Sequence, residues 1–388
     1  MYHAYAGLEG VGEVETFAMS TLFMHWTLTP YGIYTLAGLV FALGFYNMKQ
    51  PFSVATMLYP LFGERAYGWL GRIADAICLF SLVAGMAASL GTGILSLSGG
   101  LERFFGWESG KLLYGLVGLL IVSAFVVSSA TGLQKGIRLL SGWNIRIFIG
   151  IALFVLIAGP TGELLSMGGK GALDYVQHFL PRSLGLDDRL EEDWIQSWTV
   201  FYWANWLAWT PVTALFLGRI AVGYTVRDFI HFNLLLPALF GACWMGIFGG
   251  TTLSFDQNYD GAMHQALLDG GPQAIIYELL GKLPLPLLSS FLMLLAIFIS
   301  YVTAADSNTS AMTGMSVEGV SPETQEAPLG MKVIWGTLVG LISWVMISFA
   351  GIDGVKMISN LGGLPALFLL LLVGAGLVKL WLKKDWYE

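Results

Sequence analysis

The sequence is poor in charge. Only 12% of its 388 residues are Asp, Glu, Lys or Arg, against about 25% in a soluble globular domain. Two cysteines, Cys78 and Cys243, stand alone in apolar runs, which excludes a disulfide scaffold and a cysteine-based metal site. HExxH, GxSxG and Walker A patterns are missing, so metalloprotease, serine-hydrolase and ATP-driven chemistry have no carrier here. The five histidines are scattered without metal-ligand spacing. Neither a cofactor nor a nucleic-acid partner is expected. Residues 1–18 are acidic and Gly-rich, unlike the basic, apolar profile of a secretory signal.

Long apolar runs are abundant. The chain is 56% hydrophobic and its mean hydropathy is +0.69. A spanning helix needs roughly 20 apolar residues, because lipid offers the backbone no hydrogen-bond partner. Nine runs meet this, near 20–45, 74–98, 111–131, 145–167, 198–218, 230–253, 286–314, 331–351 and 358–382. The expected fold is an all-α polytopic membrane protein. Nine spans put the two ends on opposite sides. With the C-terminus cytoplasmic, twelve of the nineteen basic residues lie inside, the expected bias for a plasma (inner) membrane protein. The segments 168–197 and 257–285 hold amphipathic stretches, Ala172–Leu180 and Ala262–Leu268. These read as helices on the membrane face, or as a lid over an access path.

Aromatics concentrate at 198–209, WTVFYWANWLAW, where six of twelve residues are aromatic. Tyr202, Trp206 and Trp209 recur at helical spacing and share a face. Pro211 follows and disturbs the helix. A second cluster, HWTLTPYGIY at 25–34, puts Trp26 and Tyr34 about two turns apart, with Tyr31 one turn before Tyr34 and Pro30 between them. Each has an ordinary reading: an interfacial aromatic belt, and packing round a proline kink. Together they suggest a box for a quaternary ammonium, which cannot hydrogen-bond and is held by ring faces worth about 0.5–2 kcal/mol each. A third segment, YVTAADSNTS at 301–310, sets Thr303 and Asp306 among small residues in an apolar run. It reads as an ion path or as plain helix packing.

These segments resemble the betaine/carnitine/choline transporters. WTVFYWANWLAWTPVTALFLGRIAVGYTVRDF (198–229) is similar to the family's most distinctive motif. HWTLTPYGIY, GLQKGIRLLSGWN and TAADS resemble its earlier substrate helix, its basic loop and its sodium-site helix, in the same order. The resemblance implies a LeuT-like inverted-repeat fold of twelve helices, of which nine are expected here. An outer segment 1–18 would be the tail of a missing helix. Residues 19–167 would be an incomplete first repeat of four helices, 168–197 an outer loop with an amphipathic helix, 198–383 the second five-helix repeat, and 384–388 a cytoplasmic tail.

The implied function is secondary transport of an osmolyte of the glycine betaine, choline or carnitine class. Trp26, Tyr31, Tyr34, Trp206 and Trp209 match cage positions. Tyr202 shares their face. Asn205 departs from the family's usual Trp and adds polarity. Thr303 matches a sodium-site hydroxyl, but Ala304 replaces the adjacent serine, and Leu82 and Met86 stand where some sodium-coupled members have threonines. Sodium, proton and exchange coupling therefore stay open. The family often forms homotrimers. Two alternatives also stay open: a LeuT-like transporter of another small polar solute, and an inactive truncated fragment.

Overall fold

In a computed structural model that describes residues 11–130, 134–316 and 328–383, every long element is a helix and no strand occurs among those residues. In chain order the α-helices are α1 Val11–Trp26, α2 Leu28–Ala42, α3 Tyr59–Phe62, α4 Trp69–Phe105, α5 Lys111–Ala130, α6 Gln134–Ala158, α7 Thr161–Ser183 and α8 Glu192–Trp194. They continue with α9 Phe201–Arg219, α10 Val226–Ile230, α11 Leu236–Asn258, α12 Ala262–Gly270, α13 Pro272–Gly281, α14 Pro286–Ser316 and α15 Leu329–Lys383.

Seven helical stretches among the described residues are long and apolar enough to cross a membrane. The difference from nine runs has two physical sources. One stretch, Leu329–Leu382, has 54 residues, and at 1.5 Å per residue it measures about 80 Å, beyond two bilayer cores. Gly351 kinks it at φ 55°, ψ −139°, a conformation open to glycine alone. The other source is α9, whose aromatic and polar content keeps it below the hydropathy of the rest. The protein is a multi-pass helical membrane protein.

The fourth expected span needs correction. The run 145–167 is broken at Gly159 and Pro160, where α6 ends and α7 begins. The division drawn at 167/168 therefore falls inside α7. Pro160 supplies no N–H to continue α6, and apolar content carries on only because α7 is itself amphipathic. The basic stretch 132–146, expected as a loop, is helical from Gln134 onward. The expected segment 1–18 falls largely, and 384–388 wholly, outside the described residues.

Helix α7 braces α1. Its buried residues, Leu164, Gly171, Tyr175 and Arg182, form one face. The Arg182 side chain, on a residue only 3% exposed, donates to Asp174 Oδ2 at 2.5 Å, to Asp187 Oδ2 at 3.3 Å and to Ser20 Oγ of α1 at 2.9 Å. Its guanidinium also lies 5.3 Å from the Phe17 ring centroid. Higher up the same face, the Thr27 hydroxyl is 3.2 Å from the Tyr175 hydroxyl. Burial raises the Tyr175 phenol above its ordinary pKa, and hydrogen bonds to Thr27 and the Leu28 backbone partly offset this.

Close helix approach holds the rest. Helix α15 lies along α4 and α9. Ser81 and Ser343 hydroxyls donate across the first seam, to the Gly362 and Ala87 carbonyls at 2.8 and 2.9 Å. At the second seam Gly363 is so near Ala204 that any Cβ would overlap its backbone. Small residues replace the hydrophobic drive that lipid cannot supply between apolar helices.

Two stability predictions follow from these contacts. Gly363→Val should lower the melting temperature in detergent, at an overpacking cost of about 1–3 kcal/mol. Gly374→Val, in open space on the same helix, should leave it unchanged. Arg182→Met should cost about 1.5–3 kcal/mol, because it removes the guanidinium that joins Asp174, Asp187 and Ser20 while Arg189 still pairs Asp187. Lys282→Met, which removes a half-exposed pair with Glu278, should cost less than about 1 kcal/mol.

Candidate functional site

The aromatic cluster is built where a broken helix meets α9. Thr27 leaves helical geometry at φ −118°, ψ −106°, and Pro30 lacks the N–H that would bond back to Trp26. Carbonyls of the preceding turn are thereby released from helical pairing. One of them is used at once: the Trp206 indole N–H donates to the His25 carbonyl at 2.9 Å.

Around that bond the rings gather. Trp26 meets Trp206 edge-on at 4.9 Å and Tyr202 at 5.6 Å between centroids. Tyr34 meets Trp206 edge-on at 6.4 Å. Along α9, Tyr202 and Trp206 stack at 6.4 Å with planes 24° apart. Trp198 stacks on Tyr202 at 6.4 Å and 20°. Trp198 stands in a π-helical turn, Ile195–Val200. An α-helix overshoots by about 40° every four residues, and the wider π turn takes up this drift, so three rings at four-residue intervals form a ladder.

Trp26, Tyr34, Tyr202 and Trp206 are thus brought together. Tyr31 turns toward α11, where a Cβ on Gly241 would lie 3.8 Å from its ring. Trp209 sits against α4, with its indole nitrogen 3.3 Å from where a Gly85 Cβ would stand. Asn205 faces α15, and the buried Ser359 hydroxyl is 3.4 Å from its amide oxygen. Thr303 is remote from the rings in its bonding: its hydroxyl donates within α14, to Ile299 and Ser300 carbonyls at 2.9 and 3.0 Å. Leu82 and Met86 lie buried in the apolar cluster of α4, α5, α14 and α15. Among the described residues no group of three or more His, Cys, Asp or Glu could hold a metal ion.

Three residues of the site were not singled out by sequence. His25, 1% exposed, stacks on Tyr202 at 4.5 Å and meets Trp203 edge-on at 5.5 Å. Its Nε2 lies 3.3 Å from Thr199 Oγ1. Trp198 extends the ladder, and Lys356 of α15 places its ammonium 5.2 Å from the Trp198 centroid. The adjacency of His25 to Trp26 was the available signal for the first, and the four-residue spacing from Tyr202 for the second. Lys356 gave none.

The chemistry on offer is recognition. The rings present π-faces to a cation, the Asn205 amide of α9 meets the Ser359 hydroxyl of α15 beside them, and α15 adds the Lys356 ammonium at Trp198. Ring faces 6.4 Å apart leave no room for a trimethylammonium between them, so a cation would lie against the ladder's open side.

The family model described as betaine/carnitine/choline family transporter matches residues 5–385. The chain is 32% identical over 381 residues to the osmo-dependent choline transporter BetT2 of Acinetobacter baylyi, covering 95% of this chain and 54% of that protein. It is 32% identical over 377 residues to the high-affinity choline transport protein of Escherichia coli, covering 96% and 55%. With the glycine betaine transporter OpuD of Bacillus subtilis it shares 30% identity over 380 residues, covering 96% and 73%. The chain thus spans about half the length of the two choline transporters. A match over nearly its whole length establishes that it belongs to the betaine/carnitine/choline transporter family.

Proposed function

We propose that this chain forms the greater part of a secondary transporter for a quaternary ammonium osmolyte of the glycine betaine, choline or carnitine class. The carrying observation is the ring cluster of Trp26, Tyr34, Tyr202 and Trp206, held across two helices by the Trp206–His25 bond. A cation that cannot hydrogen-bond gains most from such faces. Tyr31 and Trp209 flank the cluster, and Asn205 with Ser359 supplies its polar edge. The proposed setting is the inner membrane with a cytoplasmic C-terminus, supported by the basic-residue bias, in two inverted repeats, the first from residue 19 to the end of α6 at Ala158 and the second at 198–383. Assembly as a homotrimer belongs to the same proposal.

Coupling is proposed to depend weakly on sodium. A hard cation takes oxygen ligands. The Thr303 hydroxyl donates within its own helix and keeps its lone pairs for a cation, but Ala304, Leu82 and Met86 offer no side-chain oxygen beside it. Protons or solute exchange would then drive uptake.

Two measurements test these readings. Trp206→Ala should weaken binding of glycine betaine and of choline at least about tenfold each, by loss of a ring face and of the bond to His25. Normal binding of both would remove the aromatic box. Uptake into proteoliposomes should persist when potassium replaces sodium, and its collapse would establish sodium coupling.

A further inference from the structure

Lys356 is a charge without an ionic partner at the end of an aromatic ladder. Its ammonium lies 5.2 Å from the Trp198 centroid. Among the described residues no carboxylate is within ion-pair distance of it. Asp353, three residues earlier on α15, is exposed to solvent, as are Glu191, Glu192 and Asp193 before Trp194. Solvent screens those carboxylates. The ammonium, half-buried over an indole, is screened less. It places a fixed positive potential where Trp198 begins the run of rings.

The two sides of that run differ. Toward α1 and α2 it meets His25, Trp26 and Tyr34. Toward α15 it meets Lys356 and, one turn on, the Ser359–Asn205 pair. A run of rings with aromatic neighbours on one side and a polar, positively charged edge on the other suits a molecule that is cationic at one end and anionic at the other.

The spacing of the rings sets the molecule's length. In a zwitterion with one carbon between the ammonium nitrogen and the carboxylate, nitrogen to oxygen is ~3.5 Å from standard bond lengths. A charge-assisted hydrogen bond from that oxygen to an ammonium adds ~2.8 Å. The total is close to one step of the ladder, 6.4 Å from Trp198 to Tyr202.

We propose that Lys356 is a specificity-determining residue of the onium site, which receives the carboxylate of a trimethylammonium zwitterion and disfavours onium cations that lack one. This rests on the onium reading above and narrows it to glycine betaine-like solutes over choline-like ones. A plain cation meets the same rings but is repelled by the ammonium, and its hydroxyl gains only a neutral hydrogen bond.

The test is equilibrium binding of radiolabelled glycine betaine and choline to the purified chain in detergent, for wild type, Lys356→Met, Lys356→Arg and Trp206→Ala. Lys356→Met keeps the aliphatic stem and removes the charge. It should lower the ratio of glycine betaine to choline affinity at least about tenfold, the order expected for one charge-assisted bond. Lys356→Arg should hold the ratio near the wild-type value. If Trp206→Ala weakens both solutes while Lys356→Met leaves the ratio unchanged, the Lys356 assignment falls and the onium reading stands. If the wild type binds neither solute, the onium reading falls and takes the assignment with it.

Discussion

The indole of Trp206 reaches the carbonyl of His25 because the helix around that carbonyl is broken. In a medium without water, an unpaired backbone carbonyl is costly. The break at Thr27 and Pro30 therefore demands a donor from elsewhere, and α9 provides it. This single requirement fixes the distance and rotation of α9 against α1 and α2. Once Trp206 is placed, Tyr202 and Trp198 follow at four-residue steps, and Trp26 and Tyr34 close on them from the other side.

The remaining helices keep that bond in place. Helix α7 holds α1 through Arg182 and Tyr175 and accepts a hydrogen bond from Trp203 of α9 at the Ser183 carbonyl. Helix α15 presses on α9 at Gly363 and Ala204 with no space to give. The ring cluster thus stands between a charged brace and a seam of small residues.

Much of this was legible locally. The apolar runs announced the helices because length and hydropathy answer directly to bilayer thickness. Trp26, Tyr34, Tyr202 and Trp206 were legible from helical spacing and a nearby proline. What failed needed knowledge of a neighbour. The spacing of Trp209 puts it on the face of Tyr202 and Trp206, yet Gly85 on α4 admits its indole elsewhere. The run 145–167 hid a boundary because Leu164 and Leu165 belong to an amphipathic helix, and hydropathy alone does not separate that from a span. Lys356 gains its meaning only when α15 is laid against α9, and no pattern within either helix records that pairing.

The rings of the cluster already touch one another, at centroid distances from 4.5 to 6.4 Å. On the proposed reading, a cation held against the rings competes with their attraction for one another, and only the difference would appear as affinity. The cluster would then lose little when the solute departs, because the rings keep each other. For a carrier this matters as much as capture. A receptor can afford a deep well, but a protein that must deliver its solute turns over fastest when loaded and empty forms lie close in free energy, and self-contacting aromatics level that profile without any moving gate.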